Sequence, residues 1–169
     1  MHMIKSFNGK APQIHPSAFI SEAAYVVGNV EIGENSSVWP GAVIRGDFGR
    51  VVIGKNTAVE DNSVIHTADY VEIGDNVIIG HNVTVHCRKL GNNCLVGIGA
   101  ILLQGAEIGN DCFIAAGALV TKSTIPDRSL VMGSPAIVKE QLTDEKLAMV
   151  RHGAGSYVDM AREYKKQGL

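Results

Sequence analysis

Two histidines end two stretches of this chain that superimpose without a gap. Ile53-Gly54-Lys55-Asn56 through Val64-Ile65-His66 matches Ile73-Gly74-Asp75-Asn76 through Thr84-Val85-His86. If the stretches stack as structural repeats, His66 and His86 share a column, separated by one strand spacing of roughly 4.8 Å. Two imidazoles that far apart can bind one zinc through nitrogens at roughly 2.0–2.1 Å. His81 is the candidate third ligand. It precedes His86 by five residues, nearly a whole face of a three-sided prism, so within one chain it belongs around a corner from the other two. A second chain packed against that edge would close the site, and a cyclic homotrimer would repeat it at every interface. Three histidines leave a fourth position for water, the open arrangement of a catalytic zinc, which lowers the pKa of that water toward about 7.

The same register places other reactive groups. Arg45 precedes His66 and His86 in their column and Leu103 follows, while Asp47 lies two residues beyond Arg45 on the same strand face. A second column reads Pro40, Asp61, His81, Ile98, and beside it a third reads Trp39, Glu60, Gly80, Gly97. Cys87 follows His86 directly, so its side chain points to the opposite face. His2 and His15 have no such company and are read as surface residues, and His152 as structural.

The elements that must position these groups follow from an aliphatic-Gly pair: Ile32-Gly33, Ile53-Gly54, Ile73-Gly74, Leu90-Gly91 and Ile108-Gly109. The later intervals approach eighteen residues, or three hexapeptides, and a slim residue follows four positions after each aliphatic: Ser36, Thr57, Val77, Cys94, Cys112. Hexapeptide periods predict a parallel β-helix, three short strands per coil, with Gly and Asn at corners that want positive φ. A β-sandwich has no reason to keep this register. Repeats run from about 14 to 132, within a β-helix over 1–135. Cys94 and Cys112 should be stacked core thiols. From about Ser123 the pattern fades, and 136–169 reads as a helical tail on the outside of the β-helix or across to a neighbour. Thr143 caps a helix begun by Asp144 and Glu145, with Leu147, Met149 and Val150 on its apolar face. Gly153 and Gly155 should weaken it, before a second helical stretch with Tyr157, Met160, Ala161 and Tyr164 at helical spacing.

Composition narrows the field. The chain has 169 residues, is 46% hydrophobic but only 5% aromatic, and carries 19 glycines, which suits a core of small and branched aliphatics with many turns. A net charge of -2 gives little attraction for nucleic acid. No stretch is apolar enough to span a membrane, the N-terminus lacks the apolar run of a signal peptide, and three cysteines without a CxxC motif suit a reducing cytoplasm.

Trp39-Pro40-Gly41, Arg45-Gly46-Asp47, Asn62-Ser63-Val64-Ile65-His66, Gly80-His81-Asn82-Val83-Thr84-Val85-His86 and Gly133-Ser134-Pro135-Ala136 together resemble the γ-class carbonic anhydrase family. The resemblance implies a left-handed β-helix and a homotrimer. It implies His66 and His86 from one subunit with His81 from its neighbour, and Arg45 paired with Asp47 across the interface. Glu60 would lie beside the metal-bound water, where the family usually has Gln. The implied reaction is hydration of CO2 to bicarbonate, with Glu60 orienting or deprotonating the water and Arg45 steering bicarbonate; Tyr157 either reaches over the pocket or packs the helix. The metal would be Zn2+, with Fe2+, Co2+ or Ni2+ equally suited to three imidazoles. The prototype's glutamate-rich proton-export loop is missing: Phe48-Gly49-Arg50 follows Asp47 directly, and Asp69 is the one acid after His66. The rival readings are an acyl-CoA-dependent acyltransferase or thioesterase of the same fold, using one histidine as general base, and a metal-bearing module without turnover.

Overall fold

The computed structural model describes residues 3–169, the Arg151 side chain excepted; Met1 and His2 lie outside the described residues. The aliphatic-Gly repeat folds as expected into a parallel β-helix of three faces. On the first face Val64–His66, Thr84–Val85, Ile101–Leu102 and Leu119–Val120 stack in parallel, beginning against the first half of Val43–Ile53. The second half of that eleven-residue strand turns the corner and starts the second face, followed by Tyr70–Ile73, Lys89–Leu90, Glu107–Ile108 and Thr124–Ile125. The third face runs from Phe19–Ile20 through Ser37–Val38, Ala58–Val59, Ile78–Ile79, Leu95–Val96 and Phe113–Ile114 to Ser129–Gly133.

The repeat is a set of vertical columns. Ile32, Ile53, Ile73, Leu90, Ile108 and Ile125 are in direct register and buried. The slim position forms a polar ladder inside the wall: Ser36 Oγ donates to the Gly54 carbonyl at 2.6 Å, Thr57 Oγ1 to Gly74 at 2.9 Å, and Cys94 Sγ to Gly109 at 3.2 Å. That ladder accounts for Cys94 and Cys112, which are free, buried thiols in adjacent coils.

The expectation of Gly and Asn at positive-φ corners holds for the corner asparagines and for Gly41, Gly99, Gly105 and Gly117, and fails at one set of glycines. The glycines of the aliphatic-Gly pairs do not supply positive φ. That conformation falls two residues later, on Asn35, Asn56, Asn76, Asn93 and Asp111. These side chains bond to one another up the corner at 3.0–3.2 Å. Asparagine tolerates the left-handed region and also supplies a donor and an acceptor for the ladder. The paired glycines are instead needed for close approach: a Cβ on Gly91 would stand 2.4 Å from the Gly109 carbonyl oxygen.

The tail differs from expectation in two respects. Ala136–Gln141 is a strand, antiparallel to Ser129–Gly133, that closes the third face before any helix begins. Then a single helix runs unbroken over Asp144–Gln167, through Gly153 and Gly155. Gly153 is tolerated because the helix presses close there, where a Cβ would lie 3.0 Å from Ile78 Cδ1. Thr143 caps the helix, accepting from the Lys146 amide, and Gly168 ends it at φ 74°. Twenty-four helical residues span about 36 Å, enough to cover the stacked rungs of the third face. Arg128 holds Asp144 at one end, while Lys165 donates to the Pro16 and Ala18 carbonyls at the other. Leu147, Val150, Ala154 and Ala161 are buried, but Met149 and Met160 face outward, against expectation.

Candidate metal centre

Register alone builds the first half of the site. Val64 pairs with Thr84 and Ile65 with Val85, so the residues after them stack, and Arg45 pairs directly with His66. The His66 and His86 ring centroids are 5.3 Å apart, tilted by 56°. A zinc bound through one nitrogen of each ring lies about 3.2 Å from each centroid, and a tetrahedral angle then separates the centroids by about 5.2 Å. The centroid separation is therefore compatible with a shared ion.

His66 Nε2 is the focus of polar contacts, 3.2 Å from Arg45 Nη2 and 3.1 Å from Asp47 Oδ1. Arg45 Nε in turn lies 3.5 Å from Asp47 Oδ2, so the Arg45–Asp47 pair forms within one chain. An ion held by Nε2 would need the guanidinium to move aside; the Arg45 side chain is 42% exposed. Phe48 stands next to this group, exposed, its ring centroid 5.8 Å from that of His66. A small cavity of about 210 Å³, lined by His86, Tyr70, Arg88 and Gln104 among others, adjoins the pair. Cys87 points inward and is buried, and burial pushes its thiol up to about 12.

The second half lies at the other edge of the first face. His81 sits at the corner between the third and first faces. Its Nε2 is 2.9 Å from Glu60 Oε2 and its Nδ1 is 3.1 Å from Asp61 Oδ2. Asp61 shares the His81 column of the repeat, and that column is the sequence signal for its contact with His81. Glu60 is buried, its residue only 5% exposed. Gly80 follows it in its column, where a Cβ would come 2.8 Å from the Val96 carbonyl oxygen. Trp39 stands on the other side of Glu60 in the same column. Tyr157 reaches in from the helix, its ring centroid 5.9 Å from that of Trp39. Burial, then the hydrogen bond and charge of Glu60, raise the Tyr157 phenol pKa. Glu60, His81 and Tyr157 border a cavity of about 400 Å³ whose remaining wall includes Leu95, Ile98 and Phe113.

Among the described residues of one chain, no three His, Cys, Asp or Glu groups come together to hold an ion. The histidine donors are split between the two edges of one face. That face also leaves apolar side chains uncovered: Val64, Ile101 and Leu103, with Ile98 at its corner. His15, bonded to Ser17, and His152 are exposed and away from both groups.

Comparison with known proteins agrees with this architecture. A profile of the bacterial transferase hexapeptide family (six repeats) matches residues 11–46 and 89–122. A carbonic anhydrase from Geobacillus kaustophilus is 40% identical over 166 residues, covering 96% of this chain and 91% of that protein. Gamma carbonic anhydrase 1 of Arabidopsis thaliana mitochondria is 38% identical over 164 residues, 92% of this chain; the chain spans only 60% of that relative's length. The crystal structure of a hexapeptide transferase family protein from Anaplasma phagocytophilum superposes with a TM-score of 0.92 at 35% identity, covering 95% of this chain and 97% of the other. With its repeats, its stacked histidines and near full-length likeness to a named carbonic anhydrase, the chain belongs to the γ-class carbonic anhydrase-like family of hexapeptide-repeat proteins.

Proposed function

We propose that this protein is a metal-dependent hydratase converting CO2 to bicarbonate, assembled as a homotrimer with a site at each interface. The observation that carries this reading is the division of the donors. His66 and His86 stand at a spacing suited to one ion on one edge of an uncovered apolar face, with His81 on the opposite edge. A cyclic arrangement brings one copy's His81 edge onto the next copy's His66 and His86 edge. Zn2+ is the first choice of metal, with Fe2+, Co2+ and Ni2+ compatible with the same imidazoles. When bound, the metal supplies Lewis acidity that makes a water molecule nucleophilic at neutral pH.

The chain's own residues do the rest. Glu60, buried and beside His81, orients the attacking water and accepts its proton. With an ion bound, its carboxylate would also add negative charge to the site and so oppose ionisation of a water held there. Arg45, once released from His66 Nε2, offers a guanidinium to the bicarbonate product, and Asp47 holds it in place. Phe48 offers no proton-accepting group where it stands beside His66. Proton export then falls to Glu60 and to buffer, so turnover should depend steeply on buffer concentration. Free, buried cysteines suit residence in the reducing cytoplasm.

A second reading has a specific observation in its favour. His81, flanked by two carboxylates in a partly apolar cavity, is a general-base arrangement suited to acyl transfer from a thioester or to its hydrolysis. Stopped-flow CO2 hydration separates the readings. The protein is assayed with zinc and, anaerobically, with iron(II), alongside metal analysis. About one ion per chain and hydration above the buffer rate supports the hydratase. A bound ion without hydration points to a binding module. No ion, with acyl-CoA turnover abolished by His81→Ala, replaces both with the transferase.

A further inference from the structure

Glu60 is a buried carboxylate with two oxygens to satisfy, and the third face supplies no side chain to do it, because Gly80 and Gly97 occupy the next two rungs of its column. One oxygen faces His81 Nε2 at 2.9 Å. The Tyr157 hydroxyl, which comes from the C-terminal helix and borders the same cavity, also bonds to this carboxylate. The tyrosine ring is itself fixed edge-on against Trp39, and Trp39 Nε1 donates to Ser37 Oγ at 2.9 Å. The helix that carries Tyr157 is pinned to the first coil through Lys165. A continuous line of contacts therefore runs from helix docking through Tyr157 and Glu60 to one face of His81.

We infer that Tyr157 is a positioning residue: by donating to Glu60 it sets the carboxylate against His81 and so couples the docked helix to the orientation of the third imidazole. A glutamine at position 60 brings its own donor, so it has less need of the tyrosine hydroxyl. A glutamate accepts only, and depends on donors arriving from outside. The tyrosine is thus matched to the carboxylate, and removing its hydroxyl should matter only while Glu60 is present.

The test is a double-mutant cycle with Tyr157→Phe, Glu60→Gln and the double variant, each checked for unchanged helix content. Phenylalanine keeps the ring against Trp39, so the helix stays docked. The first readout is the His81 ring nitrogen signals in the metal-free protein by 15N NMR, which is independent of the metal reading. The second, which rests on that reading, is zinc affinity by chelator competition. Y157F should shift the His81 signals in the Glu60 background and weaken zinc binding about tenfold, the lower end of the range for partners of a ligating histidine. In the E60Q background it should leave the signals in place and change affinity less than twofold. Unchanged His81 signals in Y157F, or equal changes in both backgrounds, would overturn the inference, since Tyr157 would then act only by packing. If no form binds zinc, the metal reading fails, and the NMR comparison still decides whether Tyr157 acts through Glu60.

Discussion

Ile65 and Val64 are neighbours in sequence with opposite surroundings, and substituting each by alanine tests the placement of His66. Ile65 is fully buried between Ile44 and Val85 in its column, one residue before His66. Truncation to alanine removes three buried carbons at about 0.8 kcal/mol each, or about 2.4 kcal/mol. The rigid column above and below prevents collapse, so a cavity cost brings the expected loss into the range of about 2.5–5 kcal/mol. Even the lower figure lowers the folding equilibrium constant by about sixty-fold. With a urea m-value of about 2 kcal/mol/M it moves the unfolding midpoint by more than about 1 M. Val64 points outward on the first face and is 36% exposed in the single chain. Val64→Ala should change protomer unfolding by less than about 0.5 kcal/mol while weakening association, seen as a concentration-dependent shift in sedimentation. Both variants are unfolded in urea at a protomer concentration low enough for sedimentation to show monomer, so that association does not enter the measured value. If Ile65→Ala costs less than about 1 kcal/mol, or Val64→Ala costs as much as Ile65→Ala, residues 64–66 do not alternate as described. His66 would then not face His86.

Three further outcomes follow from particular positions. Gly91→Ala should destabilise the fold by about 1–3 kcal/mol in thermal or urea unfolding, because its Cβ would meet the Gly109 carbonyl at 2.4 Å. Gly99→Asn should be tolerated within about 0.5 kcal/mol, because Gly99 has φ +69° with nothing within 4 Å, and Asn82 one rung below has φ 56°. Cys87 should resist iodoacetamide at pH 9 in the folded protein, since burial raises its pKa from 9.0 to about 12. An unfolded chain holds that thiol half ionised near pH 9 while the native state keeps its proton. The native state therefore loses stability from Cys87 as pH climbs from about 9 to 12, and Cys87→Ala should flatten that part of the pH–stability curve.

The columns were legible in the sequence because a solenoid translates residue spacing directly into stacking. Arg45, His66 and His86 needed only a count of the repeat, and so did the burial of Cys94 and Cys112. Glycine was legible only in part: Gly41, Gly99, Gly105 and Gly117 do hold positive φ. Composition marks Gly as a turn residue, but at the aliphatic-Gly pairs the constraint is a neighbouring backbone, which no local pattern reveals. The tail was misread for a related reason. Two glycines weaken an isolated helix, yet here the third face supports the helix and Gly153 lets it approach Ile78. Met149 and Met160 lie outside the buried stripe of this helix, which runs through Leu147, Val150, Ala154 and Ala161. The reach of Tyr157 to Glu60 joins residues almost a hundred positions apart and depends on where the helix docks, which the repeat does not encode.

Metal content of mixed assemblies is the most direct probe of a site shared between chains. His81→Ala protein and His66→Ala/His86→Ala protein are each prepared, unfolded together in equal amounts, refolded, and analysed for zinc after gel filtration. Each parent alone should hold almost none. Random reassembly joins an intact His66–His86 edge to an intact His81 edge at about one interface in four, so the mixture should recover about a quarter of the wild-type zinc. A mixture that binds no more than its parents would place all three ligands within one chain, or show that no such site exists.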